Sequence, residues 1–514
     1  GSSACGQLFE VEKENYNFRY LVNRIVRYEF YKGQTLLVTG ITGFIGTCLI
    51  EKLLRSCSGV EKIYTIIRPT EEYPTGRYFP QVFDSVRKQD PNFMRKLVVL
   101  KGDLADTDLG LSPEDRRLLI ENVTLIIHNA ASVAFYHRIS GILKINVLGT
   151  KQLLELASEC SRLRAFVYVS TAYSQSHLPY TEEKCYPPPA DLKIVDDIIA
   201  ADTITERGMT EEALSPLRNN STTNYTFTKA ITEGIVEQFS RKVSFPCAIF
   251  RPSIVFHSVK EPWTGWLTAF SGPTLMYYIY SLGYLHAVPV AGDPIFDVVP
   301  VDMTCNALLA CLWDLAVPQE KCHVYHYTSG QLNRTSLKVL RAFIEPYILE
   351  KPSIKSVWYP SVMFIGDFWT FFTLHCLLHV FPGLLYDLTR FASGKRLLIF
   401  PKLQLMLKNV KMLATFVGNE FTFEMKEMLD IWDRQSAADK EIFYSDIREL
   451  DWASYGRGSW DSMRANIFRE SDEMLPAARR KHFKLKILHY TIRTLFIFTV
   501  LYFLYSFICR LFGL

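Results

Sequence analysis

The stretch Thr39-Gly40-Ile41-Thr42-Gly43-Phe44-Ile45-Gly46 decides the fold class. It follows the apolar run Thr35–Val38 and opens the helical pattern Thr47–Leu54. Glycines at these spacings allow a tight turn from a strand into a helix. They also let the backbone approach a pyrophosphate, which binds at the helix N-terminus. The sequence therefore predicts a dinucleotide-binding turn, in which the cofactor-contacting residues are Gly40, Thr42, Gly43, Phe44, Ile45 and Gly46.

Residues 35 to about 330 alternate between short apolar runs and helical patterns. Such alternation is typical of an α/β protein with a doubly wound parallel sheet of the Rossmann type. We predict helices over Asn146–Glu159 and Asn224–Phe239, among others. The predicted strands are Thr35–Val38, Ile63–Ile67, Val98–Lys101, Leu125–His128, Ala165–Ser170, Cys247–Phe250 and Val324–Thr328.

A second string, Tyr225-Thr226-Phe227-Thr228-Lys229, places a tyrosine and a lysine four residues apart. On a helix, two such side chains lie on one face. An ammonium beside a phenol makes a proton donor suited to carbonyl reduction. Together with the glycine turn, this pair predicts an oxidoreductase that uses a nicotinamide cofactor.

The end of the second predicted strand indicates which nicotinamide cofactor binds. Enzymes that use NAD usually carry an acidic residue about twenty positions after the glycine turn, where it binds the ribose 2′-hydroxyl. This chain has Arg68 at that point, and an arginine suits a 2′-phosphate. We therefore expect NADPH. The alternative is that Arg68 only ends the strand.

Other strand ends supply further candidate cofactor contacts, because ligands of doubly wound sheets bind at the carboxyl ends of the strands. Small residues there permit close approach, and hydroxyls can donate hydrogen bonds. From the third to the sixth predicted strand, the expected contact residues are Asp103, Leu104, Asn129, Ala130, Ala131, Ser170, Pro252, Ile254 and Val255.

Charge and cysteine usage exclude several function classes. The formal net charge of +4 is too small to indicate a nucleic-acid-binding protein, and no basic-aromatic interleaving supports one. The eleven cysteines are scattered without the paired spacing of a zinc site. We therefore expect reduced intracellular thiols and no metal site.

Two apolar segments towards the C-terminus point to a membrane. Thr494–Cys509 carries no charge, and a buried core helix is the alternative to a membrane segment. Val357–Tyr386 contains one formal charge, Asp367, and three interpretations stay open for it: an interfacial segment, a buried helix and a span. The basic residues Arg479, Arg480, Lys481, Lys484 and Lys486 precede Thr494–Cys509.

The orientation that follows from these charges is a cytosolic catalytic body, since basic residues favour the cytosolic side of a membrane segment. The acceptor pattern Asn224-Tyr225-Thr226 agrees with this orientation. A glycan on Asn224 would obstruct the neighbouring tyrosine, which disfavours a lumenal location.

Several strings together resemble the extended short-chain dehydrogenase/reductases and, more narrowly, the fatty acyl-CoA reductases. Residues 355 to 455 are similar to the C-terminal male sterility domain of that family, with Gly394-Lys395 and Asp451-Trp452 as landmarks. One departure is Gln331, where an asparagine is expected. The matching strings are the glycine turn, Ile67-Arg68-Pro69, HNAASV from His128, VSTAYS from Val169, the Tyr225/Lys229 pair, RPSIV from Arg251, and Tyr325-His326-Tyr327-Thr328-Ser329-Gly330.

The resemblance implies NADPH-dependent reduction of a long-chain acyl-CoA to a primary fatty alcohol, with an aldehyde intermediate and release of CoA. It implies that Tyr225 protonates the substrate oxygen, helped by the hydroxyl of Thr171 or, failing that, of Ser170. Lys229 is expected to lower the pKa of Tyr225 and to bind the nicotinamide ribose. The alternatives are a membrane-anchored sterol-type dehydrogenase, a thioester reductase that stops at the aldehyde, and a non-catalytic NADPH-binding protein.

The sequence as a whole also sets expectations for organisation and location. We expect membrane anchoring at the endoplasmic reticulum or the peroxisome, with a cytosolic catalytic domain, and a homodimer is one option for the assembly. The expected domains are an N-terminal extension (1–30), a reductase domain (31–350), a male sterility domain (351–460), a basic linker (461–486) and a membrane segment (487–514).

Overall fold

The computed structural model describes residues 27–68, 81–133, 138–268, 272–316, 322–397 and 399–512; Pro69 of the second-strand string lies outside them. The chain forms two compact units, and each unit draws on three separate stretches of sequence. The first comprises Gly1–Thr268, Asp297–Arg334 and Phe421–Leu450, and the second Ala269–Phe296, Thr335–Glu420 and Asp451–Leu514. The domain limits inferred from the sequence stay predictions.

The first unit is built on a seven-stranded parallel sheet. Its strands are β1 (Thr35–Thr39), β2 (Lys62–Ile67), β3 (Leu97–Lys101), β4 (Leu125–His128), β5 (Ala165–Val169), β6 (Cys247–Pro252) and β7 (His323–Tyr327). They lie in the order β7-β6-β5-β4-β1-β2-β3. This order reverses between β1 and β4, where doubly wound sheets bind their ligands.

Burial on both faces explains why these segments form strands. Every residue of β1, β4, β5 and β6 is buried, as expected of the near-continuous apolar runs that build parallel sheets. The predicted fold class is confirmed, and each predicted strand end lies within two residues of the observed one.

Helices connect the strands, and one of them differs from its prediction. The helix predicted from Asn146 begins earlier, at Ile139, and contains a π-helical turn over Lys144–Leu148. The α-helices of this unit are Arg27–Tyr31, Phe44–Ser56, Asp84–Gln89, Pro113–Asn122, Ile139–Leu143, Gly149–Glu159, Leu192–Ile204, Glu211–Leu217, Asn224–Ser240, Val301–Asp314, Lys426–Arg434 and Ala437–Ile442.

The second unit is mainly helical. Its helix Leu337–Glu350 packs on Trp452–Ser462, where Gly456 admits the side chain of Ile344. The fully buried Trp460 donates a hydrogen bond from Nε1 to the carbonyl oxygen of Lys351 at 2.9 Å. The remaining α- and π-helices of the unit are Gly272–Ser281, Phe368–His375, Cys376–Val380, Phe381–Ala392, Ile399–Val417, Met463–Ile467 and Leu475–Phe512.

Two helices of the second unit, Phe368–Ala392 and Asp472–Phe512, have the length and apolar composition that a membrane crossing needs. The second of them exposes large apolar side chains along its last turns, Phe498, Tyr502 and Phe503 among them. A contiguous apolar surface of this kind marks an interaction site. These helices support association of the chain with a membrane.

Candidate functional site

The parallel sheet brings the predicted site residues to one edge, because all seven strands end on the same side. The helix Asn224–Ser240, which carries Tyr225 and Lys229, packs beside β6. Around this edge, Arg68 follows β2, Asp103 and Leu104 follow β3, Asn129, Ala130 and Ala131 follow β4, Ser170 and Thr171 follow β5, and Pro252 ends β6 shortly before Ile254 and Val255.

Two glycines of the turn lie so close to other backbone that no larger residue fits. Gly40 has a φ of +73°, and a Cβ added there would lie 2.7 Å from the Cα of Ala130. A Cβ on Gly46 would lie 2.1 Å from the carbonyl oxygen of Gly40. The turn therefore requires glycine at both positions. Because the backbone packs so closely there, the following helix starts directly beside the ends of β1 and β4.

The helix that follows the turn, Phe44–Ser56, has Gly43 at its N-cap position and no side-chain cap among the described residues. Thr42 and Gly43 are exposed at this point. Uncapped N–H groups and the positive end of the helix dipole attract an anion such as a pyrophosphate. The glycine cradle and this helix N-terminus therefore fit a nicotinamide dinucleotide.

A buried network fixes the strand ends that flank the turn. The hydroxyl of Thr39 lies 2.7 Å from His128 Nδ1 and accepts a hydrogen bond from the N–H of Ala130 at 3.0 Å. His128 Nε2 lies 2.8 Å from the hydroxyl of Thr150. Burial lowers the pKa of His128 to about 3, so the imidazole stays neutral. The network holds β1 against β4 next to Gly40.

Arg68 lies at the sheet edge where an adenosine ribose is expected. It follows β2 directly, its side chain is exposed, and β2 pairs with β1 next to the glycine turn. A flexible cation in this position suits a 2′-phosphate. The choice of NADPH over NADH stays a prediction.

Tyr225 and Lys229 are one helical turn apart at the start of Asn224–Ser240. A capping box begins this helix: Thr223 Oγ1 accepts from the N–H of Thr226, and Thr226 Oγ1 accepts from the N–H of Thr223, both at 3.1 Å. Lys229 Nζ lies 5.9 Å from the centroid of the Tyr225 ring. The phenol and the ammonium therefore share one face of the helix.

Lys229 is buried at the end of β5. Its Nζ donates a hydrogen bond to the carbonyl oxygen of Val169 at 2.7 Å and lies 4.6 Å from the centroid of the Tyr168 ring. Burial lowers the pKa of Lys229 to about 7, and the charge of Glu233 acts in the opposite direction. The protonation of this amine is therefore poised near neutral pH.

The pKa of Tyr225 moves in the opposite direction to the one expected from Lys229 alone. Burial, together with the negative charge of Glu233, raises the pKa of Tyr225 above its usual value. Desolvation is the larger effect because a buried phenolate loses its hydration. The phenol therefore stays protonated at neutral pH, as a proton donor must.

The hydroxyls of Ser170 and Thr171, which both follow β5, have different partners. Ser170 donates a hydrogen bond to Glu233 Oε1 at 2.5 Å. Thr171 Oγ1 accepts from the N–H of Tyr173 at 3.3 Å, which leaves its hydroxyl proton to be donated. The adjoining turn Ala172–Gln175 packs on the helix that carries Tyr225. This difference favours Thr171 as the second proton donor.

Glu233, one turn after Lys229, forms a buried ion pair with Arg251. Arg251 donates from Nη2 to Glu233 Oε2 at 2.7 Å and from Nε to Oε1 at 2.9 Å. Arg251 Nη1 lies 3.1 Å from Nε2 of His326 on β7. Removing one partner of such a pair leaves an uncompensated buried charge. The pair therefore ties the helix to β6 and β7 beneath the site.

Asn146 holds the loop after β4 against the same helix. Its Oδ1 accepts from the N–H of Ser132 at 2.7 Å, and its Nδ2 donates to Ser132 O and to Thr228 Oγ1 at 3.1 and 3.0 Å. Asn146 lies within the π-helical turn, a feature that often marks functional sites. The hydroxyl of Thr228 in turn donates to the carbonyl oxygen of Tyr225 at 2.8 Å.

Sequence reasoning missed Glu233, Asn146 and the role of Arg251. A signal existed for Glu233, since it stands four residues after Lys229 and so continues the same helix face. Arg251 belongs to a string that was singled out, but nothing local revealed its partner. Asn146 carried no local signal, because its partner Ser132 lies across a connection between two elements.

Comparison with known proteins identifies the family. A family model described as "Male sterility protein" matches residues 38–308, and a second of the same description matches residues 378–470. The chain belongs to the fatty acyl-CoA reductase family. It is 31% identical to "Fatty acyl-CoA reductase 1" of Gallus gallus over 479 residues, which cover 92% of each chain. It is 30% identical to "Fatty acyl-CoA reductase wat" of Drosophila melanogaster over 473 residues, covering 91% of this chain and 90% of the relative.

Solved structures of other reductase domains have a fold similar to that of this chain. The terminal R domain of the myxalamid PKS-NRPS pathway superposes with a TM-score of 0.56 at 19% identity, covering 85% of this chain and 92% of that domain. The reductase domain of a non-ribosomal peptide synthetase from Mycobacterium tuberculosis gives 0.54 at 18% identity, covering 84% and 92%. At these identities the likeness supports the Rossmann-type fold alone.

We predict that Gly46→Ala weakens NADPH binding by about tenfold or more, because the added methyl group would displace the backbone of the pyrophosphate cradle. The measurement is a fluorescence titration with NADPH, together with the thermal unfolding midpoint. Gly141→Ala is the matched control, since a Cβ at Gly141 meets nothing within 4 Å. Wild-type affinity in a folded Gly46→Ala variant would contradict the assignment.

We predict that Glu233→Gln shifts the pH profile of turnover. If the Lys229 ammonium is required, the rate falls as the pH rises through the pKa of Lys229. Glu233 raises that pKa, so removing its charge should move this fall to lower pH. Glu233→Asp keeps the charge and should keep the wild-type profile. The control is Glu237→Gln, one turn further on and paired with the exposed Arg241. An unshifted profile in folded Glu233→Gln would refute this role.

Proposed function

We propose that this chain reduces long-chain fatty acyl-CoA to a primary fatty alcohol and releases CoA, with NADPH as the reductant. The observation that carries the proposal is the Tyr225/Lys229 pair at the end of β5, on the same sheet edge as the glycine cradle. Relatives named fatty acyl-CoA reductases match this chain over nine-tenths of its length. Their substrate is therefore the first one to test.

Two groups of the cofactor, the pyrophosphate and the 2′-phosphate, have candidate binding residues in this proposal. Gly40 and Gly46 shape the cradle for the pyrophosphate, and the N-terminus of Phe44–Ser56 supplies N–H groups to it. Arg68 is placed to bind the 2′-phosphate that distinguishes NADPH from NADH. When bound, NADPH supplies the hydride that a thioester or aldehyde carbon accepts.

Tyr225 acts on the oxygen of the reacting carbonyl. Negative charge develops on this oxygen as the carbon is reduced, and a phenol kept protonated by burial can donate its proton there. Thr171 offers a second hydroxyl donor on the adjacent turn. Lys229, held by the carbonyl oxygen of Val169, supplies the positive charge that stabilises the phenolate left after transfer.

The apolar helices suit the proposed substrate. A long acyl chain partitions into a bilayer, since each buried methylene is worth about 0.8 kcal/mol. We infer that the chain is anchored through Leu475–Phe512 with its catalytic unit in the cytosol, at the endoplasmic reticulum or the peroxisome. A homodimer stays a prediction.

The competing activities differ in what they release and consume. A sterol-type dehydrogenase, which the family membership does not favour, transfers one hydride and releases no CoA. A thioester reductase that stops at the aldehyde consumes one NADPH for each CoA. The alcohol-forming reaction consumes two.

We predict that the purified protein converts palmitoyl-CoA to the alcohol at two NADPH per CoA, and that Tyr225→Phe lowers the rate by about a hundredfold or more because the proton donor is lost. The measurement resolves alcohol, aldehyde and free CoA. Tyr180→Phe, which changes an exposed tyrosine of the same unit, is the control. Absence of CoA release across several chain lengths would exclude acyl-CoA as the substrate.

We predict that Arg68→Ser raises the KM for NADPH by about tenfold or more and leaves the KM for NADH nearly unchanged, because only NADPH carries the phosphate that the guanidinium binds. Steady-state kinetics with both cofactors measure this. Arg162→Ser is the control, since Arg162 is exposed and precedes β5 at the opposite edge of the sheet. An equal rise of both KM values in Arg68→Ser would show that Arg68 does not distinguish NADPH from NADH.

A further inference from the structure

The helix Phe368–Ala392, called the surface helix below, exposes its large apolar side chains. Trp369 is 72% exposed, Leu388 62% and Phe391 69%. On a helix that rests on the core of a soluble protein, such residues face inwards. The other large apolar residues exposed on the surface helix are Phe368, Phe372, Leu377, Leu378, Phe381, Leu384, Leu385 and Tyr386.

The inward face of the surface helix carries polar residues beside the buried Phe371 and Gly383. His375, His379 and Asp387 follow one another at helical spacing and are all buried. His379 Nε2 accepts a hydrogen bond from the N–H of His286 at 2.9 Å. Asp387 accepts from the N–H groups of Ile399 and Phe400 at 3.0 and 2.8 Å. These bonds fix the rotation of the helix, so its apolar face is held outwards.

The element that follows argues against a crossing by the surface helix. Helix Ile399–Val417 packs back against Phe381–Ala392, where Gly383 contacts Leu403. If the surface helix spanned the bilayer, Ile399–Val417 would have to return through it. Its sequence places charged and amide residues at Lys402, Gln404, Lys408, Asn409 and Lys411. Charges at bilayer depth are costly, so both helices belong on one side.

Contacts within the second unit hold the segment that precedes the surface helix against the tail helix Leu475–Phe512. Trp358 donates from Nε1 to His489 Nδ1 at 3.0 Å, and the Tyr359 ring lies 5.5 Å from the His489 ring. Lys481 donates to the carbonyl oxygen of Ile354 at 2.8 Å. The chain that leads into the surface helix is therefore bound where the tail helix passes from basic to apolar sequence. Tryptophan and tyrosine favour that interfacial level.

Positive charge surrounds the end of the surface helix. Lys395, Arg396 and Lys402 are exposed just after it, and the one acidic residue of its last turns, Asp387, is buried. Exposed basic residues beside an apolar face complement a bilayer that contains anionic lipids.

We propose that the surface helix lies in the plane of the membrane, with its apolar face inserted into the cytosolic leaflet and its basic end on anionic headgroups. The proposal rests on the inferred membrane anchoring by the tail helix. It makes the second unit a membrane-bound platform with two points of insertion. An acyl chain or an alcohol partitioned in that leaflet then lies beside the protein.

The first experiment places a photo-crosslinking benzoylphenylalanine in the full chain, reconstituted in vesicles of phosphatidylcholine and phosphatidylserine. Phe381 and Phe391 face outwards, and Phe371 on the same helix is buried and serves as the control. Crosslinks to lipid at Phe381 and Phe391, with none at Phe371, are expected. Crosslinks to a second protein chain, or none at the outward positions, would overturn the proposal.

Leu501 of the tail helix, exposed in the structure, separates this proposal from the anchoring on which it rests. Lipid crosslinks at Leu501 without any at Phe381 and Phe391 would overturn the in-plane helix and leave the anchor intact. No lipid crosslinks at Leu501 would overturn the anchor itself.

A second experiment distinguishes an in-plane helix from a span. Lys355 precedes the surface helix, Lys395 follows it, and both are exposed. In sealed microsomes, a membrane-impermeant amine reagent is expected to label both lysines to the same extent. Labelling of Lys355 with protection of Lys395 would show a crossing and overturn the proposal.

A third experiment tests the charge requirement. Phosphatidylserine is expected to raise lipid crosslinking at Phe391 by about fivefold or more. The triple variant Lys395→Gln/Arg396→Gln/Lys402→Gln should lose this rise, whereas Lys88→Gln/Lys193→Gln/Lys242→Gln, which neutralises exposed lysines of the first unit, should keep it. Equal loss in both variants would overturn the assigned headgroup contact.

Discussion

The candidate site depends on the hydrogen bond that a buried amine, that of Lys229, makes at the carboxyl end of the central sheet. The Lys229 side chain is buried, and its Nζ donates a hydrogen bond to the carbonyl oxygen of Val169 at 2.7 Å. Burial lowers the pKa of Lys229 to about 7, against the opposing effect of the nearby Glu233 carboxylate. This carboxylate is itself held in place by its ion pair with Arg251. Tyr225 lies one turn earlier on the same helix. Burial and the negative charge of Glu233 raise the pKa of Tyr225, so its phenol stays protonated.

The parts of this site that follow from local sequence could be predicted, and those that depend on long-range contacts could not. The glycine turn and the Tyr225/Lys229 spacing are local patterns, as are the apolar runs that became the seven strands. The bond of Ser170 to Glu233 joins residues 63 positions apart, so the sequence alone offered both Ser170 and Thr171 as donors. The π-helical turn around Asn146 was not predicted for the same reason, because the hydrogen-bond partners of Asn146 come from other elements.

The apolar segments show a different limit of sequence reasoning. Hydropathy marks Val357–Tyr386 as apolar, but an interfacial helix, a buried helix and a span share that composition. What separates them is which side of the helix binds the rest of its unit. The hydrogen bonds of His379 and Asp387 turn the polar side inwards. A reductase of an insoluble acyl chain gains from such a surface, since its substrate and product both partition into the bilayer.

The most direct test of the account follows the hydrogen that reaches the reacting carbon. The purified chain would be supplied with palmitoyl-CoA and with NADPH deuterated at both C4 positions, and the products analysed by mass spectrometry. Two successive reductions of one thioester carbon predict an alcohol with two deuterium atoms on the carbon that bears the hydroxyl, and free CoA in equal amount. Deuterium on a single position without CoA release, or an aldehyde as the final product, would contradict the alcohol-forming reaction.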